Sequence, residues 1–463
     1  MTIPLLVGDV LRNASAGAPD RAAIVLGAEQ RTFSELLEAG ERLAAGLERR
    51  GIGAGDVVLV LGTVAIDMAD LFVGCALLGA VFAPVDPRLP EETLAAIESL
   101  AAPALVVRSG EIDALADGGA TVAAAVSESD PHVVFFTSGT SGLPKGVVIS
   151  HRVSVLRSHP GSQLEPRGAL VCPYPLFHMA GWTMAMQQWH ARDTVVFLDS
   201  PTAPEIIAAV RDHDAARLNA IPGVWQRILD DLRATGAEPL SSLRFADTGT
   251  YATPPELLAA IAEAAPNAHV RVFYGSTEVG NVTALDHGDV LERVGSCGRP
   301  SPLVELRLGD GDEMLVRTPV AFTGYLNDAD ATEAAFDGDW FRTGDVAAVD
   351  ADGFISIVGR LGQIIRTGGE SVSPSQVEQV FIGMDGIADV AVIGVPDAQW
   401  GEVVTLCVVA DADLSLEALL TDIELAPHAR PRRLEFVDEI PRTAATGQID
   451  RRRLLSLVID RPI

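Results

Sequence analysis

Cysteine is scarce in this chain. Cys75, Cys172, Cys297 and Cys407 lie far apart with no C-x-x-C pair, which fits reduced cytosolic thiols better than a disulfide framework or a zinc site. Long apolar runs are missing too. The longest nearly unbroken one, Leu71 to Val85, has 15 residues, short of the ~18 that a membrane span needs. Basic charge is outweighed, with Lys+Arg at 34 against Asp+Glu at 63 for a net charge of −29, so nucleic acid and anionic membrane are poor partners. The first residues, MTIPLLVGDVLRNASAG, have no basic start and an early Asp9, unlike a secretory leader. There are no heptads, low-complexity stretches or charged tails. A cytoplasmic enzyme is expected.

What is present suits a large globular protein. At 463 residues and 48% hydrophobic content, about three folding units are expected. Thr32 and Glu35 stand at capping-box spacing ahead of an amphipathic run that Gly51 ends. Short apolar runs (57 to 62, 80 to 85, 104 to 107, 132 to 136) alternate with helix-length segments, and after a break around 151 to 168 a second alternating series runs to VRVFYG. Such alternation predicts mainly parallel sheets covered on both faces. From about Val304 short β-like runs rich in Gly and Asp predict a small barrel or hairpin region. The last hundred residues, with PSQVEQVFIGM and SLEALLTDIEL as helices among strands, predict a separate small α+β domain.

Three segments carry chemistry. In VVFFTSGTSGLPKGVVISH (133 to 151) a strand runs into Thr137, Ser138, Gly139, Thr140, Ser141 and then Lys145, giving close backbone approach, hydroxyl donors and one cation. A polyphosphate needs these, although a polar surface turn has the same composition. The run matches neither the Walker P-loop nor the dinucleotide fingerprint. In FYGSTEVG (273 to 280), Tyr274 can stack on a base, Ser276 and Thr277 can donate to phosphate, and Glu278 can hold magnesium. In DWFRTGDVAAVDADGFISIVGR, Asp345 and Arg360 can meet ribose hydroxyls, or can simply be solvated turn residues.

In this order and spacing the segments resemble the superfamily of acyl-CoA synthetases, nonribosomal-peptide adenylation domains and luciferases. CPYPLFHMAG, VGSCGRP, AFTGYLNDADATEAAF, GGESVSPSQVE, GVPDAQWGE and PRTAATGQIDRRRL extend the resemblance over essentially the whole chain. It implies an α/β fold: a large N-terminal domain (1–359) of two α/β subdomains plus a small β subdomain, and a small mobile α+β C-terminal domain (360–463). It also implies two half-reactions, in which a carboxylate and Mg·ATP give acyl-AMP, then a thiol, usually of CoA, displaces AMP. Mapped by motif, Thr137 to Lys145 would handle the outer phosphates, Tyr274 the adenine, Thr277 the α-phosphate, Glu278 the metal, and Asp345 with Arg360 the ribose. Gly249, Gly275 and Ser276 would complete the nucleotide site. His178 would lie against the acyl carboxyl, and Gly368 with Gly369 would line the thiol tunnel. Trp182, Met186, Thr248 and Tyr251 would wall an apolar, broad acyl pocket. Because no arginine or lysine lies in those stretches, a dicarboxylic acid is disfavoured and an aromatic or polycyclic one fits.

Two positions depart from the family pattern. Where a lysine normally follows the glycine of the last motif this chain has Gln448, and no lysine occurs after Lys145. A neutral amide cannot offset charge building on phosphorus, and one lost stabiliser commonly costs on the order of 10²- to 10³-fold in rate. Two residues after Arg360, where the hinge usually has Asp or Lys, stands Gly362, which permits backbone rotation. The expectation is a ligase resembling the non-adenylating acyl-CoA ligases of natural-product pathways, fed acyl-AMP by a partner ligase. A complete ATP-dependent acyl-CoA synthetase, with Gln448 or Arg451 serving weakly, and an inert nucleotide-binding relative are the alternatives.

Overall fold

A computed structural model describes the chain except residues 1–2, 119–124, 139–143, 159–166, 200, 383, 385, 411–413, 422, 424, 443–448 and 460–463. It separates into two compact units, 1–305 with 316–341, and 306–315 with 342–463. The expected position of Gln448 and those of Gly139, Thr140 and Ser141 lie outside the described residues, as does the side chain of Ser138.

The first unit contains both alternating series as sheets. Parallel strands Leu105–Arg108, Val57–Leu61 and Val81–Val85 continue into Pro131–Ser138, which turns antiparallel onto Pro144–Ser150. In the second sheet Val195–Phe197, Leu170–Cys172, Arg217–Asn219, Phe245–Gly249 and His269–Ser276 run parallel, and Gly280–Leu285 folds back along the last of them. The capping box forms as expected, Thr32 and Glu35 each taking the other's backbone amide at the start of helix Phe33–Arg49. The apolar run from Leu71 to Val85 is split between helix Ile66–Leu78, nearly all buried, and strand Val81–Val85, with Gly79 left-handed between them (φ 79°). It is core. No helix among the described residues is long and apolar enough to cross a membrane. The break expected at 151 to 168 begins instead with helix His151–Ser158.

Beneath the first sheet lies an aromatic cluster in which Phe72 stacks on Trp182 with centroids 4.1 Å apart, while His132 packs edge-on to Phe72. His132 and His151, centroids 4.8 Å apart, are both fully buried. Val7 donates its amide to His151 Nδ1 at 3.4 Å, which fixes the proton on Nε2, a buried atom without a partner. Burial holds both rings neutral, pulling His151 down to about 4 and His132 in the same direction. The unfolded chain therefore takes up protons first as pH falls below ~6.5. Stability should drop between there and about pH 4, by about 3 kcal/mol for His151 alone. Urea midpoints across that range should fall less steeply in His151→Asn than in the wild type; equal slopes would remove His151 as the cause.

In the second unit, strands Ile387–Asp397 and Gly401–Ala410 pair antiparallel, and Arg433–Phe436 joins in parallel. Alternation sends Val390, Val392, Val404, Leu406 and Val408 to one face, against Val377 and Phe381 of helix Pro374–Phe381. Ala391, Ile393, Val395 and Cys407 go to the other, against Leu454 and Val458 of helix Arg451–Ile459. Period-2 strands with apolar residues on both faces demand cover on both. Of the helix expected over SLEALLTDIEL, the described residues form one turn, Leu416–Leu419, and Leu419 and Ile423 reach the core; residues 422 and 424 lie outside the described residues.

Candidate active site

In the first unit the chemistry-bearing residues stand at the C-terminal ends of parallel strands, where open α/β sheets bind ligands. Thr248 and Gly249 end strand Phe245–Gly249, and Tyr274, Gly275 and Ser276 end its neighbour His269–Ser276. The hydroxyls of Thr248 and Ser276 are buried without a hydrogen-bond partner, a cost that a bound polar ligand relieves. The two glycines answer to the sheet. A Cβ on Gly249 would sit 2.3 Å from the Phe273 carbonyl oxygen, and one on Gly275 only 2.0 Å from that of Gly280.

Glu278 follows in the turn before Gly280–Leu285. Tyr325, on a short strand paired with Pro144–Ser150, donates its hydroxyl to Glu278 Oε1 at 3.1 Å, and the Lys145 ammonium lies 4.5 Å from the Tyr325 ring centre. Burial first, then the Glu278 charge, pushes the Tyr325 phenol up, so it remains a donor. The structure thus brings together the cation of the first motif and the carboxylate of the second, through a tyrosine that the sequence reading left unassigned within AFTGYLNDADATEAAF. Magnesium takes one or two carboxylates and otherwise substrate phosphate oxygens. A single oriented Glu278 fits an ion arriving with its nucleotide, and no group of three or more His, Cys, Asp or Glu forms a protein cage among the described residues.

His178 is the residue before helix Met179–Ala191, with its amide on the Pro175 carbonyl. Trp182 and Met186, on that helix, line one cavity with Phe72, Met179, Ser154 and Arg157. Trp182 is also committed to packing, its indole donating to the Leu176 carbonyl at 2.5 Å. Thr248 and Tyr251 do not join that wall. The chain turns at Thr250 (φ 78°), and Tyr251, 45% exposed, accepts the Gly223 amide at 2.7 Å. Arg157, from helix His151–Ser158, lines the same small cavity.

In the second unit Asp345 and Arg360 are register partners on strands Trp340–Val349 and Ile355–Arg360, joined from Arg360 Nε to Asp345 Oδ1 at 2.9 Å. Gly368 and Gly369 form the two-residue turn between Ile365–Thr367 and Glu370–Val372, both at positive φ (58° and 87°), the signature of a type I′ hairpin. Gly362 sits in the turn after Arg360 with open space where a Cβ would be. Arg451 is fully engaged, its Nη2 on both oxygens of Glu378 at 2.5 and 2.6 Å, Nε on the Val392 carbonyl and Nη1 on Gln363.

Residues 11–326 match the family described as AMP-binding enzyme, and residues 376–446 match the AMP-binding enzyme C-terminal domain. The chain belongs to the AMP-binding enzyme family. Feruloyl-CoA synthase of an Amycolatopsis species is 32% identical to this AMP-binding enzyme, covering 93% of this chain and 95% of its own. A Mycobacterium tuberculosis ligase, 3-[(3aS,4S,7aS)-7a-methyl-1,5-dioxo-octahydro-1H-inden-4-yl]propanoyl:CoA ligase, is 36% identical over 75% of this chain and 70% of its own. In fold, the o-succinylbenzoate CoA synthetase of Bacillus subtilis, solved with its acyl-adenylate, matches at a TM-score of 0.89 with 23% identity over 98% of both chains. This AMP-binding enzyme is an acid-thiol ligase of the acyl-CoA synthetase type, with the expected large N-terminal and small C-terminal parts.

Proposed function

We propose that this acyl-CoA ligase is built for the second half-reaction, acyl-AMP plus CoA to thioester plus AMP, and is weak in the first. One observation carries the reading: Gln448 replaces the family lysine and no lysine follows Lys145. Arg451, the next cation along the sequence, is held by Glu378. A guanidinium with both Nη2 contacts on a buried carboxylate leaves it only at the cost of stranding that charge.

In this reading Tyr274 stacks on the adenine, Thr277 meets the α-phosphate, and Asp345 with Arg360 holds the ribose. Thr137, Ser138, Gly139, Thr140, Ser141 and Lys145 receive the outer phosphates when ATP is bound. Glu278 holds magnesium, which neutralises phosphate charge when present. His178 faces the acyl carboxyl, and the Gly368 and Gly369 turn admits the pantetheine arm. Residues 360–463 turn on the preceding part about Gly362. A separate adenylating ligase supplies acyl-AMP in the cytoplasm, where cysteines stay reduced. An aromatic or polycyclic acid suits the apolar, broad side chains of Trp182 and Met186, in keeping with the bicyclic acid named for the mycobacterial relative. Arg157 does not argue for a second carboxylate, because backbone carbonyls occupy its fork.

A complete synthetase is the second reading, favoured by relatives that are themselves named CoA ligases or synthases over most of this chain's length. Incubation with synthetic acyl-AMP and CoA, in parallel with ATP, acid and CoA, separates the two. Thioester only from acyl-AMP is expected; comparable product from both makes the protein a complete synthetase, and product from neither leaves a nucleotide-binding protein.

A further inference from the structure

Arg157 stands in the last turn of helix His151–Ser158, a cation at the end where the helix dipole favours one. Its donors reach two segments far away in the chain. Nε donates to the Val320 carbonyl at 2.9 Å, Nη1 to the Thr277 carbonyl at 2.9 Å, and Nη2 to the Glu278 carbonyl at 2.7 Å. Nη1 also touches Met179 Sδ at 3.0 Å, next to His178. Phe322 adds its own amide to the Glu278 carbonyl at 2.6 Å, tying the same two segments together. Space for the guanidinium is left by Gly280, where a Cβ would lie 3.2 Å from Arg157 Nε. Burial pulls the guanidinium down to about 9, so it remains charged at neutral pH.

We propose that Arg157 is the positioning residue of the phosphate-and-metal turn, fixing the main chain of Thr277 and Glu278 so that their side chains point at the nucleotide. Glu278 is then held at both ends, its backbone by Arg157 and its carboxylate by Tyr325. The planar fork spreads its donors over three nitrogens, one for each carbonyl; an ammonium keeps the charge and three donors but gathers them on a single nitrogen and loses that geometry. The same guanidinium lines a small cavity with Trp182 and Met186, so the helix that carries both packs against the support of the turn. The proposal rests on the reading of Glu278 as the magnesium ligand.

The test is calorimetric titration with ATP, with and without magnesium and in the absence of acid and CoA, on the wild type, Arg157→Lys and Glu278→Gln. Partners that orient a metal ligand are commonly worth 10- to 100-fold in metal affinity, so the magnesium-dependent gain in ATP affinity should fall by about tenfold in R157K. In E278Q it should fall at least as far. A purely structural role for Arg157 would lower the thermal midpoint of R157K and leave that gain intact, which overturns the proposal while Glu278 stands. An intact gain in E278Q overturns the reading of Glu278, and this proposal with it. Should R157K fail to fold, Gly280→Ala presses a methyl against Nε, and the magnesium gain should shrink in the same direction; an unchanged gain there overturns the proposal.

Discussion

Gln448→Lys is expected to raise pyrophosphate release from ATP and acid by on the order of 10²- to 10³-fold, while thioester formation from ready-made acyl-AMP changes little. The physical reason is the charge that builds on the α-phosphorus as the carboxylate attacks. A preorganised ammonium stabilises it; an amide offers one neutral hydrogen bond. In this chain no lysine after Lys145 can take the place, and Arg451 is bound to Glu378, Val392 and Gln363. The thiol step attacks the acyl carbon, with charge developing on the acyl oxygen and on the AMP oxygen that leaves rather than on a five-coordinate phosphorus, so the two rates should separate. Exchange of labelled pyrophosphate into ATP measures the first rate and thioester from acyl-AMP the second. Brisk exchange in the wild type, unchanged by Q448K, would sink the argument.

The second large effect concerns the C-terminal unit. Glu378 is 6% exposed and takes both the Arg451 guanidinium and the Val392 amide. Glu378→Ala leaves a half-buried guanidinium and a buried amide without their carboxylate, a loss of at most about 3 kcal/mol, the low end for breaking a buried pair. Urea unfolding should show that loss. Changing both partners, Glu378→Leu with Arg451→Leu, should recover part of it, since the uncompensated charge goes while the Val392 amide stays unpaired. A single variant with the wild-type midpoint would show that the pair contributes nothing. The same experiment bears on adenylation: if Arg451 were the substitute cation, freeing it with E378A would speed pyrophosphate exchange rather than leave it unchanged.

Much of the fold was legible because its causes are local. The capping box at Thr32 and Glu35, the alternation of strands and helices, and the paired glycines at 368 and 369 each state their geometry within a few residues. Less was legible of what depends on distant main chain. Arg157 binds carbonyls 120, 121 and 163 positions away, and a carbonyl carries no residue identity for a reader to notice. Tyr325 was quoted as part of a motif, yet its link between Lys145 and Glu278 depends on strand pairing with Pro144–Ser150. The left-handed turn at Thr250, which sets Tyr251 against the Gly223 amide, has no glycine at that position to announce it.

Lys145 is the only lysine in the chain, and its ammonium rests over the Tyr325 ring. Apart from the α-amine, reagents selective for primary amines therefore have one address, at the edge of the proposed triphosphate cradle. A single mass increment, or its suppression by nucleotide, would report occupancy at that address without any engineered tag.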